Sequence, residues 1–182
     1  MTLPNLISLG RLLAVPLIVW LLLVEEWTAA FGLFVLAGLS DAVDGFIAKR
    51  FGAQTRLGRF LDPIADKTLL VSIYITLGVQ AHLPVWLVIL VVSRDTMIIG
   101  GALMLYIMNL RVDSAPLLIS KVNTALQIAL AALALAGLAF AFEGWIGLVD
   151  LMVLAVAATT VASGAAYLVN WGRSMAGMED AP

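Results

Sequence analysis

Residues 41–66 read DAVDGFIAKRFGAQTRLGRFLDPIAD, and this stretch decides how the rest of the chain folds. Four carboxylates stand in it as two pairs, Asp41 with Asp44 and Asp62 with Asp66, between long apolar flanks. Residues three or four apart share a helix face, so each pair projects its acids together if both flanks are helical. Between the pairs, Arg50-Phe51-Gly52-Ala53-Gln54 forms a turn and Thr55 caps the helix that follows. Turning one helix back on the other brings four acids around one point.

The surroundings make those acids expensive. Of 182 residues, 63% are hydrophobic and 12% charged, and the mean hydropathy is +1.07. Such a chain has too little polar surface for a soluble globule, so the expectation is an all-α integral membrane protein in one domain, residues 1–182. A net charge of −2 offers no case for nucleic acid. The absence of cysteine leaves no disulfide framework.

With about 20 residues needed per span, apolar runs predict six transmembrane helices near 9–25, 28–49, 56–80, 84–109, 117–142 and 147–171. Residues 1–8 read as a short N-terminal interfacial helix, and 172–182 as a polar tail expected to be disordered. A cleaved signal peptide is the competing account of the N-terminus. Arg11, however, follows the first apolar residues, and no small-x-small site closes the run.

All ten cations (Arg11, Lys49, Arg50, Arg56, Arg59, Lys67, Arg94, Arg111, Lys121 and Arg173) fall on or toward one side of that arrangement. The opposite connections carry Glu25 and Glu26, then His82, then Glu143, with no Lys or Arg. The asymmetry places both termini and the acidic cluster on the cytoplasmic side, and the expected location is a bacterial inner (plasma) membrane. A five- or seven-span arrangement would scatter the cations over both faces.

A carboxylate carried to bilayer depth costs roughly 2.5 to 3.5 kcal/mol on insertion scales, and crowded acids also repel. A divalent cation removes both objections. Oxygen donors without Cys, and with one His in the chain, suit Mg²⁺ or Mn²⁺ better than zinc. Pairing to Lys49, Arg50, Arg56, Arg59 and Lys67 is the plainer account, but pairing alone does not require this spacing.

Other features have two explanations each. Gly45, Ala48 and Gly58 leave room for a phosphate or ring to approach the backbone, or simply for helix packing. Pro63 would bend the third helix between two acids, or is an ordinary membrane-helix proline. Gly100-Gly101 and Gly164-Ala165-Ala166 have only the packing explanation. Arg94 and Asp95, inside the fourth span, mark a functional site or an internal ion pair. Ser120, Lys121, Asn123, Thr124 and Gln127 form a polar entry to the fifth helix, for a phosphate or for the headgroup layer.

The string Asp41-x-x-Asp44-Gly45-x-x-Ala48-Lys49, eight residues, Gly58-x-x-x-Asp62-x-x-x-Asp66 resembles the signature of the CDP-alcohol phosphotransferases, a family of integral membrane enzymes. The family usually has Arg where this chain has Lys49, which keeps the charge and loses the bidentate fork. The resemblance implies that two divalent cations, Mg²⁺ or Mn²⁺, sit on Asp41, Asp44, Asp62 and Asp66, with Asp66 also the catalytic base. It implies that Gly45, Lys49 and Thr55 touch the CDP moiety, with Ala48 and Gly58 giving it room. Asn5-x-x-Ser8-x-x-Arg11 resembles the family's Asn-x-x-Thr-x-x-Arg, so Asn5 and Ser8 would approach the nucleotide. The implied partner lipid is CDP-diacylglycerol, the leaving group CMP, and the assembly a homodimer.

Basic residues outside the signature (Arg94, Lys121, Arg111 and Arg56) point to an acceptor that carries a phosphate, phosphatidylglycerol or glycerol 3-phosphate. Ser93-Arg94-Asp95 and Ile119-Ser120-Lys121-Val122-Asn123-Thr124-Ala125-x-Gln127 resemble the CDP-alcohol type of cardiolipin synthase, and phosphatidylglycerophosphate synthases less closely. A transporter or channel also keeps acids at membrane depth, yet the paired repeats with broken helices of many such folds are absent from this sequence. A structural membrane subunit would need no clustered acids.

Overall fold

In the computed structural model the backbone is described for residues 3–51, 58–107 and 118–179, and side chains for 10–40, 67–101, 104 and 118–172. Among the described residues the fold is all helical. The helices are α1 (Leu3–Leu23), α2 (Trp27–Phe51), α3 (Gly58–Val79), α4 (Val85–Ile107), α5 (Leu118–Phe140) and α6 (Trp145–Glu179).

The helices follow the expected runs, with corrections at both ends. Among the described residues there is no separate N-terminal interfacial helix; residues 3–8 are the first turns of α1. Pro4 lies in that first turn, where a missing N–H removes no intrahelical bond, and no breaker stands between Asn5 and Ile7. At the other end α6 runs to Glu179, past the point where the polar tail was expected to begin. Residues 172–179 contain neither proline nor a β-branched residue. Extending an existing helix costs little, and neither polarity nor Gly172 and Gly177, at about 1 kcal/mol each, stops it here.

The buried positions form narrow seams. On α1 they are Arg11, Val15, Ile18 and Leu22; on α2, Ala30, Phe34 and Ala37; on α6, Val149, Val153, Val156, Thr160 and Ser163. Steps of four and three alternate, the spacing that keeps one stripe of a helix on a seam. Leu13, Leu17 and Trp20 on α1, and Leu151, Leu154 and Val161 on α6, are exposed all the same. Helices apolar on every side are not those of a protein covered by water. By length and composition α5 and the Trp145–Gly172 part of α6 can each cross a membrane, while Gly10–Leu23, Trp27–Ser40 and Lys67–Val79 are shorter apolar stretches.

The chain divides into two compact units, residues 1–83 with 131–149, and residues 84–130 with 150–182. In the first, α1 packs against both α2 and α3. Three tight turns hold it together. After α1, Glu26 N–H reaches Leu21 O (2.9 Å) and Glu25 N–H reaches Leu22 O (3.2 Å), with Glu25 at φ 62°. After α3 the pattern repeats: His82 to Leu77 (2.9 Å), Ala81 to Gly78 (3.1 Å), Ala81 at φ 61°. Both are Schellman ends, built here without the usual glycine.

The first two turns meet, with the Trp27 and His82 rings edge to face at 5.0 Å. Phe31 meets Phe140, the last residue of α5, in the same way at 5.6 Å. Trp145, opening α6, lies against Gly137, where a Cβ would run into its ring. These turns carry Glu25, Glu26, His82 and Glu143 and no Lys or Arg.

Candidate active site

The signature divides between two consecutive helices. Asp41 and Asp44 lie in the last turns of α2, and Asp62 and Asp66 in the first turns of α3, on either side of residues 52–57. At 1.5 Å per residue, Asp44 and Asp41 stand about 10 and 15 Å from the end of α2, and Asp62 and Asp66 about 6 and 12 Å from the start of α3. One acid pair thus lies within about three turns of the end of α2 and the other within about three turns of the start of α3.

The side chains of Asp41, Asp44, Gly45, Ala48, Lys49, Thr55, Arg56, Gly58, Asp62 and Asp66 lie outside the described residues, as do those of Asn5, Ser8 and Arg111. Arg11, third member of the N-terminal pattern, is buried in the seam of α1. The donor chemistry suits a hard divalent cation: four carboxylates at i, i+3 and i, i+4 spacing, with no thiol in the chain to compete.

The described residues of the second compact unit include a polar cluster. Arg94, on α4, is 6% exposed. Its Nη1 donates to Asp95 Oδ1 at 2.7 Å, a bond between helix neighbours that the long arginine side chain makes possible. Its Nη2 donates to Ser120 Oγ on α5 at 2.6 Å and to Ser163 Oγ on α6. Tyr167, one turn further along α6, puts its ring centroid 6.0 Å from the guanidinium carbon, the outer reach of a cation–π contact. Among the described residues Arg94 Nε has no hydrogen-bond partner.

One turn along α5, Asn123 is wholly buried. Its Oδ1 lies 2.9 Å from the hydroxyls of both Thr159 and Thr160 on α6. Thr159 has one proton and also sits 2.9 Å from the Ala155 carbonyl, so it serves one acceptor at a time while Thr160 stays on Asn123. Asn123 Nδ2 is buried without a partner. Gln127, the next residue on this face, is buried too. The polar entry of α5 is therefore turned inward at Asn123 and Gln127, while Lys121 is exposed.

The structure brings Arg94 and Ser120 together and leaves Lys121 outside that cluster. Sequence reasoning missed Thr159, Thr160 and Ser163, having given the last span no role. Their signal was present: Val149, Val153, Val156, Thr160 and Ser163 continue one four-three stripe that changes from apolar to hydroxyl-bearing halfway along α6. Among the glycines, Gly101 bears out the packing explanation, since a Cβ there would meet the Trp171 ring of α6. Gly100 has nothing within 4 Å, and a Cβ at Gly164 would make ordinary contacts with Met97 (3.7 Å) and Arg94 (3.8 Å).

Residues 1–163 match the family model described as CDP-alcohol phosphatidyltransferase. A chloroplastic CDP-diacylglycerol–glycerol-3-phosphate 3-phosphatidyltransferase of Oryza sativa is 36% identical over 94% of this chain and 57% of its own length. A CMP-forming cardiolipin synthase of Rattus norvegicus is 37% identical over 94% of this chain and 62% of its own. A CDP-diacylglycerol–glycerol-3-phosphate 3-phosphatidyltransferase of Aquifex aeolicus is 38% identical over 56% of this chain and 58% of its own. The chain thus spans about three fifths of the length of these relatives.

Proposed function

Because this chain belongs to the CDP-alcohol phosphatidyltransferase family, we propose that it transfers the phosphatidyl group of CDP-diacylglycerol to a hydroxyl of a phosphate-bearing glycerol acceptor, phosphatidylglycerol first, releasing CMP. The observation that carries this is the family match over residues 1–163, supported by the spacing of Asp41 and Asp44 near the end of α2 and of Asp62 and Asp66 near the start of α3.

Asp41, Asp44, Asp62 and Asp66 would hold two Mg²⁺ or Mn²⁺ ions, whose charge offsets that of the pyrophosphate and of the departing CMP. Asp66 takes the proton of the acceptor hydroxyl. The acceptor oxygen then forms its bond to the phosphorus next to diacylglycerol as the bond from that phosphorus to the CMP oxygen breaks. Gly45, Lys49, Thr55, Asn5 and Ser8 bind the CDP moiety, with Ala48 and Gly58 leaving it space. Lys49 meets phosphate as a point charge where an arginine would fork.

Arg94 is the acceptor-phosphate residue best supported, being a buried cation with an unfilled donor. Lys121, Arg111 and Arg56 are the other proposed acceptor-binding residues. Phosphatidylglycerol is favoured because the Ser93–Asp95 and Ile119–Gln127 segments are similar to those of cardiolipin synthases. Glycerol 3-phosphate is the second reading, favoured by the activities for which the Oryza and Aquifex relatives are named.

The six helices cross the bilayer of a bacterial inner membrane as one domain, with the cation-free turns outside and both termini in the cytoplasm. Exposed leucines on the outer faces of the helices and the cation-free turns of the first unit support this placement. A homodimer is the proposed assembly.

Purified protein given CDP-diacylglycerol and Mg²⁺ or Mn²⁺ should release CMP with phosphatidylglycerol and form cardiolipin. The same assay with glycerol 3-phosphate separates the two readings. Solute flux without CMP would favour a transporter and end this proposal.

A further inference from the structure

We propose that Ser120 and Ser163 act on Arg94 as specificity-determining positioning residues, which bias the acceptor site toward a phosphodiester and against a phosphomonoester. This rests on the acceptor reading above and adds to it the chemical class of phosphate that the site accepts.

A guanidinium has five N–H donors and grips an anion through one of two edges, Nε with Nη2 or Nη1 with Nη2. Nη2 belongs to both edges. Here its two hydrogens go to Ser120 and Ser163, and Nη1 is engaged by Asp95. With the serines in place, two of the five N–H groups remain, the one on Nε and the second on Nη1; these do not share an edge, so Arg94 offers no two-pronged grip.

Two consequences favour a singly charged ligand. A phosphomonoester brings three terminal oxygens and up to two charges into a buried site, and each unfilled oxygen keeps its desolvation cost. A phosphodiester has two such oxygens and one charge. In addition, the carboxylate of Asp95 at 2.7 Å offsets the charge of Arg94, so little net field remains for a second negative charge. Ser163 lies in the seam of α6, fully buried, so it cannot turn away to solvent and release Nη2.

The test is a competition between phosphatidylglycerol and glycerol 3-phosphate in the wild type, Ser163→Ala, Ser120→Ala and Ser163→Thr, with KM for CDP-diacylglycerol and thermal midpoint measured for each. The expected result is that each alanine variant moves the ratio of kcat/KM about tenfold toward glycerol 3-phosphate, the size of one charge-assisted hydrogen bond. KM for CDP-diacylglycerol stays as it was, and Ser163→Thr, which keeps the hydroxyl, restores the wild-type ratio. An unmoved ratio in folded alanine variants overturns the inference, as does a threonine variant that shifts like alanine. A wild type that prefers glycerol 3-phosphate with both serines present also overturns it, while the second acceptor reading stands. Transfer to neither phosphate acceptor would overturn the acceptor reading itself and this inference with it.

Discussion

Gln80 Nε2 donates to the main-chain oxygen of Leu22 at 2.8 Å. The two residues are the last on α3's side of one turn and the last buried residue of α1, 58 positions apart in the chain. The bond ties the ends of the two helices together just where the Trp27 and His82 rings meet. Gln80→Leu keeps the volume and removes the donor, leaving the Leu22 carbonyl with the Glu25 N–H alone. The expected loss is about 1 kcal/mol, visible as a lower thermal midpoint in detergent with kcat retained, because the acids lie at the far ends of α2 and α3.

Ala81 and Glu25 hold left-handed backbone at φ 61° and 62°, in turns that glycine normally ends. A β-carbon there costs about 1 kcal/mol or more. Ala81→Gly should therefore raise stability, offset in part by the greater freedom of glycine in the unfolded chain. A net gain of several tenths of a kcal/mol is expected in a denaturation midpoint. A loss would mean that the Ala81 methyl makes a contact worth more than the strain.

The six helices were legible because each is a long apolar run whose connections contain charge, glycine or proline. The seams were less so. In a helix apolar on every side, Leu13 and Val15 look alike as letters, and only the packed structure shows that Val15 is inside and Leu13 outside. The acids announced themselves as charges in hydrocarbon. Ser163 did not, because a serine in an apolar helix is cheap when it bonds its own backbone, as Thr76 does to Ser72 O. That it faces Arg94 from 69 residues away is a fact of packing alone.

Gly101 on α4 makes room for Trp171 on α6, with the indole occupying the place where a β-carbon would stand. Gly101→Ala should cost about 1 to 3 kcal/mol, the range for forcing an extra methyl into a packed contact. The clash is with the far edge of one ring, so Trp171→Leu should recover most of the loss. The double variant is expected to be more stable than the sum of the single changes, by at least about 0.5 kcal/mol in a thermodynamic cycle. Gly164→Ala, where the new methyl meets only ordinary contacts, serves as the tolerated control.

Asp66 is asked to do two things at once, to bind metal and to take a proton, and a conservative change can separate them. Asp66→Asn keeps the shape and one oxygen donor but cannot accept the acceptor hydroxyl's proton. CMP release should fall by about 10² to 10⁴, the range for losing general-base catalysis, and raising the Mn²⁺ concentration should not restore it. Asp41→Asn, by contrast, weakens a ligand without touching the base. Its loss should be recovered in part at higher Mn²⁺, because the ion occupies a weakened site again by mass action. A chelator should abolish turnover in the wild type and leave the six-helix fold intact by circular dichroism, since the seams among the described residues are largely apolar and hydroxyl-bearing and need no metal to pack. If Asp66→Asn and Asp41→Asn respond alike to Mn²⁺, Asp66 is a metal ligand only, and the base lies elsewhere.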